Sequence, residues 1–265
     1  MELAGMHVVV TGGSQGIGLE VGRLISERGA AVSLVARSEA TLADAATAIG
    51  AETAWATADV TDGAAVDRAF SHLMTRNGPC DLLVTCAGVA HPGYFEDLDP
   101  SVFRSQMDLL YFGTLNAVRA VLPAMLERGS GGLVGVASGA ALVGVFGYGA
   151  YAPAKFAVRG LMETLRAEYA HRGLYVGCAF PGDTLTPGYE AETLLKPPEC
   201  AAASAGIAPK EASAVAAAIV NGIERERKII TADRTTAALA KGGAPMVAIA
   251  ERQMAAQVRK AATRR

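Results

Sequence analysis

The chain has 265 residues, 51% of them hydrophobic, which is enough to bury one large core in a single domain spanning residues 1–265. Its 24 basic and 26 acidic side chains leave a formal charge of −2, so it lacks the polycationic surface that binds phosphate backbones irrespective of sequence; nucleic acid is not an expected partner. Cys80, Cys86, Cys178 and Cys200 form no CxxC pair, so neither a disulfide framework nor a metal site is expected, and Cys86 and Cys178 read as small hydrophobes beside apolar strands.

Short apolar runs alternate with longer helical patterns along the chain. The strand candidates are residues 8–10, 31–36, 54–58, 81–85, 132–137, 174–180 and 228–231. Seven strands separated by helices predict an α/β fold of the Rossmann type, a doubly wound parallel sheet with helices on both faces. Leu82-Leu83-Val84 and Leu133-Val134-Gly135-Val136 are continuously apolar, as strands covered on both faces require. Ligands then collect at the C-terminal strand ends. The first strand starts almost at residue 1, leaving no room for a cleavable leader, and no apolar run reaches the roughly 20 residues of a membrane span; the expected location is the cytoplasm.

Directly after the first strand stands Thr11-Gly12-Gly13-Ser14-Gln15-Gly16-Ile17-Gly18, followed by a helical pattern. Glycines there let the backbone turn sharply, admit a pyrophosphate and seat the helix against the sheet. Gly12, Ser14, Gln15, Gly16, Ile17 and Gly18 are therefore candidate dinucleotide contacts. The second strand ends in Ala36-Arg37-Ser38. A carboxylate at this point would accept from both ribose hydroxyls of NAD, whereas Arg37 offers a cation to a 2′-phosphate, so NADP(H) is the expected cofactor.

Two long segments, residues 101–128 and 149–172, read as the helices on either side of the fifth strand. His91, just past the fourth strand, reads as a loop residue lining the cleft, and Met107, Phe112, Met125 and Met162 read as core or helix-interface packing. Ser138 closes the fifth strand, and Tyr151-Ala152-Pro153-Ala154-Lys155 opens the next helix. Tyr151 and Lys155, four residues apart, share a helical face, so a nearby ammonium is expected to lower the phenol's pKa from about 10. Pro153 is tolerable in the first turn, where its missing N–H has no helical acceptor. The combination predicts ketone chemistry: Tyr151 gives the carbonyl oxygen its proton, the Ser138 hydroxyl polarises that oxygen, and Lys155 also holds the nicotinamide ribose.

Residues 182–207 are rich in Pro, Gly and small side chains and read as a substrate lid. Val143, Val145, Phe146, Tyr148, Tyr189, Leu194 and Leu195 form a candidate groove for an alkyl chain, each buried methylene of which contributes about 0.8 kcal/mol. Residues 244–265 place Val247, Met254 and Val258 near helical spacing and end with Arg259, Lys260, Arg264 and Arg265. Such a tail is either a solvated terminal helix or a peripheral contact with an anionic membrane.

In Thr11–Gly18, Asp59-Val60, Cys86-Ala87-Gly88, Ser138, Tyr151-x3-Lys155 and Pro181-Gly182 the chain resembles the short-chain dehydrogenase/reductase family. The resemblance implies adenine contacts from Asp59 and Val60, a cofactor-supporting strand end at Ala87-Gly88, and cofactor contacts at Pro181, Gly182, Thr184 and Thr186. It also implies a homo-oligomer, dimer or tetramer, paired through the two long helices. Within the family, Gly93-Tyr94-Phe95-Glu96-Asp97-Leu98, Phe146-Gly147-Tyr148-Gly149-Ala150-Tyr151 and 183–189 are most similar to the branch that reduces 3-ketosphinganine, a lipid-like ketone, with NADPH. The alternatives are another ketone or alcohol (a 3-oxoacyl thioester, polyketide or steroid) or a weakly active NADP-binding regulatory protein. One departure bears on the last: Leu110 stands where the family places a catalytic Asn, and Asn116 lies about 240° further around the helix.

Overall fold

The computed structural model describes residues 1–204 and 207–263. Its main sheet comprises β1 (His7–Thr11), β2 (Ala31–Ala36), β3 (Ala54–Thr57), β4 (Leu82–Thr85), β5 (Gly131–Val136), β6 (Leu174–Ala179) and, past two short strands, β9 (Ile229–Ile230). All pairings in it are parallel, in the order β3-β2-β1-β4-β5-β6-β9. The order reverses between β1 and β4, which opens a crevice beyond their carboxyl ends. All seven predicted strands form, with ends shifted by a residue or so.

Helices cover both faces. On one, α1 (Gly16–Ser26) and α9 (Ala212–Glu224) pack Val21, Ile25, Ile219 and Val220 against Val8 and Val10. On the other, α3 (Gly63–Asn77), α5 (Gly113–Arg128) and α6 (Tyr151–Tyr169) bury Phe70, Val118, Val121 and Val158 against Val9, Leu83 and Leu133. Side chains start these helices: Ser38 accepts from the Thr41 N–H at 3.4 Å to open α2 (Glu39–Ile49), and Asp62 accepts from Ala65 N–H at 3.1 Å to open α3.

The segment before β5 is one continuous helical run, Pro100–Arg128, long and apolar enough by length and composition to cross a membrane, contrary to the reading that no such run exists. Here its Ala117, Val118, Val121 and Met125 lie in the core instead. Asp99 caps its start beside Pro100, and Gly129 ends it at φ 67°. Between α4 (Pro100–Met107) and α5 the residues Asp108–Phe112 form a π-helical turn. Phe112 is 45% exposed rather than packed in the core, whereas Met125 and Met162 are core residues.

The 182–207 stretch holds β7 (Thr184–Leu185), which pairs with β8 (Lys210–Glu211), and helices α7 (Pro187–Thr193) and α8 (Pro198–Ala203); Ala205 and Gly206 lie outside the described residues. The tail belongs to a longer helix, α10 (Arg234–Ala262), broken at Gly243, where φ is 57°. Val247 and Met254 of the predicted stripe, with Ala250, pack against the core. Arg264 and Arg265, part of the proposed basic end, lie outside the described residues.

Phe70 is fully buried between α3, the sheet and α5. Phe70→Ala is expected to lower stability by about 3–5 kcal/mol, read as a fall in the urea midpoint without a change of fold.

Candidate active site

The crevice beyond β1, β2 and β4 is a cavity of about 580 Å³. Gly12, Ser14, Gln15, Gly16, Ile17, Gly18, Arg37, Asp59, Val60, Ala87 and Gly88 line it, so the structure brings the candidate cofactor residues of the first half of the chain together. Glycine is required by geometry at two points. Gly12 has φ 68°, and a Cβ there would stand 2.6 Å from the Ala87 nitrogen; a Cβ on Gly18 would stand 2.3 Å from the Gly12 carbonyl oxygen. Gln15, which caps α1, makes no side-chain capping bond, so the first N–H groups of the helix are left to a ligand. A cradle of bare backbone at a helix start fits a dinucleotide pyrophosphate.

At the far end of this cavity Arg37 stands beside Ser38 and Thr41, at the start of α2. Asp59 loses some stabilisation to burial, yet hydrogen bonds from the Thr61 N–H and hydroxyl, together with the Arg37 charge, hold its carboxyl below the ordinary range. Sequence reasoning did not foresee Ser38 and Thr41 in this lining.

A second cavity, of about 540 Å³, adjoins the first and shares Ile17, Gly88 and Thr186 with it. Ser138, Tyr151, Lys155, Pro181, Gly182, Thr184 and Thr186 all line it. Tyr151 opens α6 and Ser138 follows β5, so sheet and helix present the two side chains from opposite sides. The Lys155 Nζ lies 5.7 Å from the centre of the Tyr151 ring and donates to the Val136 carbonyl at 2.8 Å, anchoring α6 to β5.

The electrostatics correct one expectation. Burial pushes the Tyr151 phenol above its ordinary value; a hydrogen bond with Ser138 opposes this, and the charges of Glu192 and Asp183 add to it. Burial also pushes Lys155 down to about 8. The net shift of the phenol is thus upward, not the lowering that the sequence spacing predicts.

Leu110, fully buried in the π-turn, presses on Gly88: a Cβ built there would lie 2.6 Å from Leu110 Cδ2 and 3.6 Å from Lys155 Nζ. The Leu110 carbonyl accepts from the Thr114 hydroxyl at 2.8 Å. Asn116 donates to the Val60 carbonyl at 2.9 Å and serves the other cavity wall. His91 lines neither cavity.

Of the groove residues, Val143, Val145, Tyr148 and Tyr189 line the second cavity. Leu194 and Leu195 are 87% and 48% exposed and do not, because they follow the end of α7 and point outward. Sequence reasoning missed Asp183 and Glu192 as lining groups, and Ala250 and Met254 from α10. The Thr186-Pro187 helix start, with Glu192 and Lys196 four apart, carried the signal for the carboxylate.

A family model described as short chain dehydrogenase matches residues 6–194. The chain belongs to the short-chain dehydrogenase family. It is thus an oxidoreductase whose fold binds a nicotinamide cofactor and whose substrate is a small molecule. Among curated relatives, a 3-ketodihydrosphingosine reductase of Dictyostelium discoideum is 39% identical over 84% of this chain and 73% of its own length. One of Bos taurus is 41% identical over 75% of this chain and 62% of its own length. Among solved structures, a short-chain dehydrogenase/reductase family protein superposes with a TM-score of 0.76 at 28% identity, covering 88% of this chain and 98% of that one. Levodione reductase has a TM-score of 0.82 at 24% identity over 90% and 99% of the two chains, a likeness of fold.

Lys155 gives the fold a pH signature. Between about pH 8 and 10.5 the unfolded chain still holds the proton that folded Lys155 has released, so this residue makes stability rise with pH across that window. The total is about 3 kcal/mol. Lys155→Met is expected to flatten that rise, measured by urea unfolding at pH 7 and pH 10.

Proposed function

We propose that this short-chain dehydrogenase reduces the ketone of 3-ketosphinganine to the secondary alcohol of sphinganine, with NADPH as reductant. The observation that carries the reading is the second cavity: it joins Ser138 and Tyr151 to an apolar wall of Val143, Val145, Leu239 and Met254. Relatives named for this reaction, 35–41% identical, support the choice of substrate. When bound, the nicotinamide would supply the hydride. Ser138 donates to the carbonyl oxygen and orients it, and Tyr151 delivers the proton to that oxygen as it becomes a hydroxyl. A phenol held neutral by burial carries that proton at physiological pH. Lys155, fixed by Val136, positions Tyr151 and offers its remaining protons to a ribose hydroxyl. The apolar wall shelters the alkyl chain and excludes water from the reacting carbon.

The choice of NADPH rests on Arg37 with the Ser38 and Thr41 hydroxyls at the start of α2, where a 2′-phosphate meets a cation, two hydroxyls and a helix N-terminus. Loss of charged hydrogen bonds in Arg37→Ala is expected to raise KM for NADPH about tenfold or more while leaving KM for NADH little changed. Equal effects on both cofactors would count against NADPH selection.

The substrate assignment is tested by purified protein, NADPH and 3-ketosphinganine, followed by cofactor oxidation. Turnover is expected, and Tyr151→Phe is expected to lower kcat at least about 100-fold. Reduction of a 3-oxoacyl thioester or steroid in its place would move the assignment within the family. Leu110 favours one second reading, a weakly active NADP-binding regulatory protein; cofactor binding with no turnover, unaffected by Tyr151→Phe, would support it. We further assign the chain to the cytoplasm, as a dimer or tetramer joined through the two long helices. Phe112 and Phe156, exposed on this pair, are consistent with that.

A further inference from the structure

The substrate cavity holds a carboxylate that the reduction itself does not use. Glu192, on α7, has a side chain only 13% exposed, yet it lines the cavity together with Tyr151. Both of its contacts fall on a single oxygen: the Tyr148 hydroxyl donates to Oε1, and Lys196 Nζ lies 2.8 Å from the same atom. Among the described residues, Oε2 has no hydrogen-bond partner. The Tyr148 ring is 5.8 Å from the Tyr151 ring, which places Glu192 one side chain away from the proton donor. Asp183 lines the same cavity and accepts from the Tyr189 hydroxyl at 3.3 Å through Oδ2, leaving Oδ1 likewise without a partner among the described residues.

Glu192 and Asp183 both border the substrate cavity, so a ligand there meets acceptors that the protein leaves open. The apolar wall has no need of them, and a neutral ketone gives them nothing to bind. We propose that Glu192, assisted by Asp183, is a specificity-determining residue that binds an ammonium group on the carbon next to the substrate's ketone. This rests on the sphingoid reading and deepens it: in an α-amino ketone the ammonium is two bonds from the carbonyl carbon, so its acceptor has to lie on the Tyr151 side of the cavity, as Glu192 does. Lys196 does not compete for the site. It is held by Oε1 and by the face of Tyr189, 4.1 Å from the ring centre. Lys155, the nearest cation to Tyr151, is committed to Val136, while Lys210 and Asp233 are the remaining charged groups of the lining. Glu192 and Asp183 also both push the Tyr151 phenol up, so a cation seated between them would ease that push at the moment of proton transfer.

The test compares 3-ketosphinganine with the 1-hydroxy-3-ketone of equal chain length that lacks the amine, in wild type, Glu192→Gln and Asp183→Asn. Glutamine keeps an acceptor for Tyr148, so general damage to the lid lowers kcat/KM for both ketones alike. The expected result is a fall of at least about tenfold for the amino ketone in Glu192→Gln, with the deaminated ketone changing less than about threefold. A parallel fall for both substrates in both variants overturns the proposal. Calorimetry of sphinganine and its deaminated counterpart with the NADPH-saturated protein separates this result from failure of the function itself. If neither ketone is reduced but sphinganine binds more tightly and Glu192→Gln abolishes the difference, the ammonium site stands and the reaction assignment falls. Equal binding of the two alcohols by wild type sinks the site.

Discussion

The site is organised by how closely three backbones approach one another: the loop after β1, the first turn of α1 and the end of β4. Gly12 against Ala87 and Gly18 against the Gly12 carbonyl leave no room for a single side-chain carbon. Because α1 sits so near the sheet, its unsatisfied N–H groups face the crevice rather than bulk water, and the strand order reverses at the same place. The cavity that fits a dinucleotide is thus fixed by the absence of side chains. Everything downstream, including the level at which Tyr151 and Ser138 meet a substrate, is measured from that contact.

A second constraint is electrical. Lys155 and Tyr151 are taken out of water together, and burial moves both toward their neutral forms, the amine downward and the phenol upward. The site resists a phenolate on its own, and the acidic lid residues increase that resistance. The same burial makes Tyr151 a reliable holder of its proton. For a group that must give up a proton only as an alkoxide forms beside it, such reluctance at rest is compatible with transfer during reaction.

Much of this was legible in the sequence because it depended on local chemistry. Strand runs such as Leu82-Leu83-Val84 can hardly fold otherwise once both faces are covered, and Gly12-x3-Gly16-x-Gly18 is a backbone requirement written directly in residue type. What escaped depended on distant segments meeting. The tail could be seen as a helix, but nothing local says that Met254 turns inward over residues near Ser138. Leu194 and Leu195 looked like groove residues by composition, whereas the length of α7 decides that they face outward. Lys155 was misjudged in its effect on Tyr151 for the same reason: spacing reveals proximity, but the cost of burial depends on every neighbour.

Leu110 shows how one position can serve two ends that conflict. Its side chain fills the space between the π-turn, Gly88 and Lys155, where a polar residue would need partners of its own and would invite solvent. The leucine therefore makes the core tighter and the amine drier. An asparagine in that place would have to find hydrogen-bond partners inside a packed layer, so the position trades polar access for close contact.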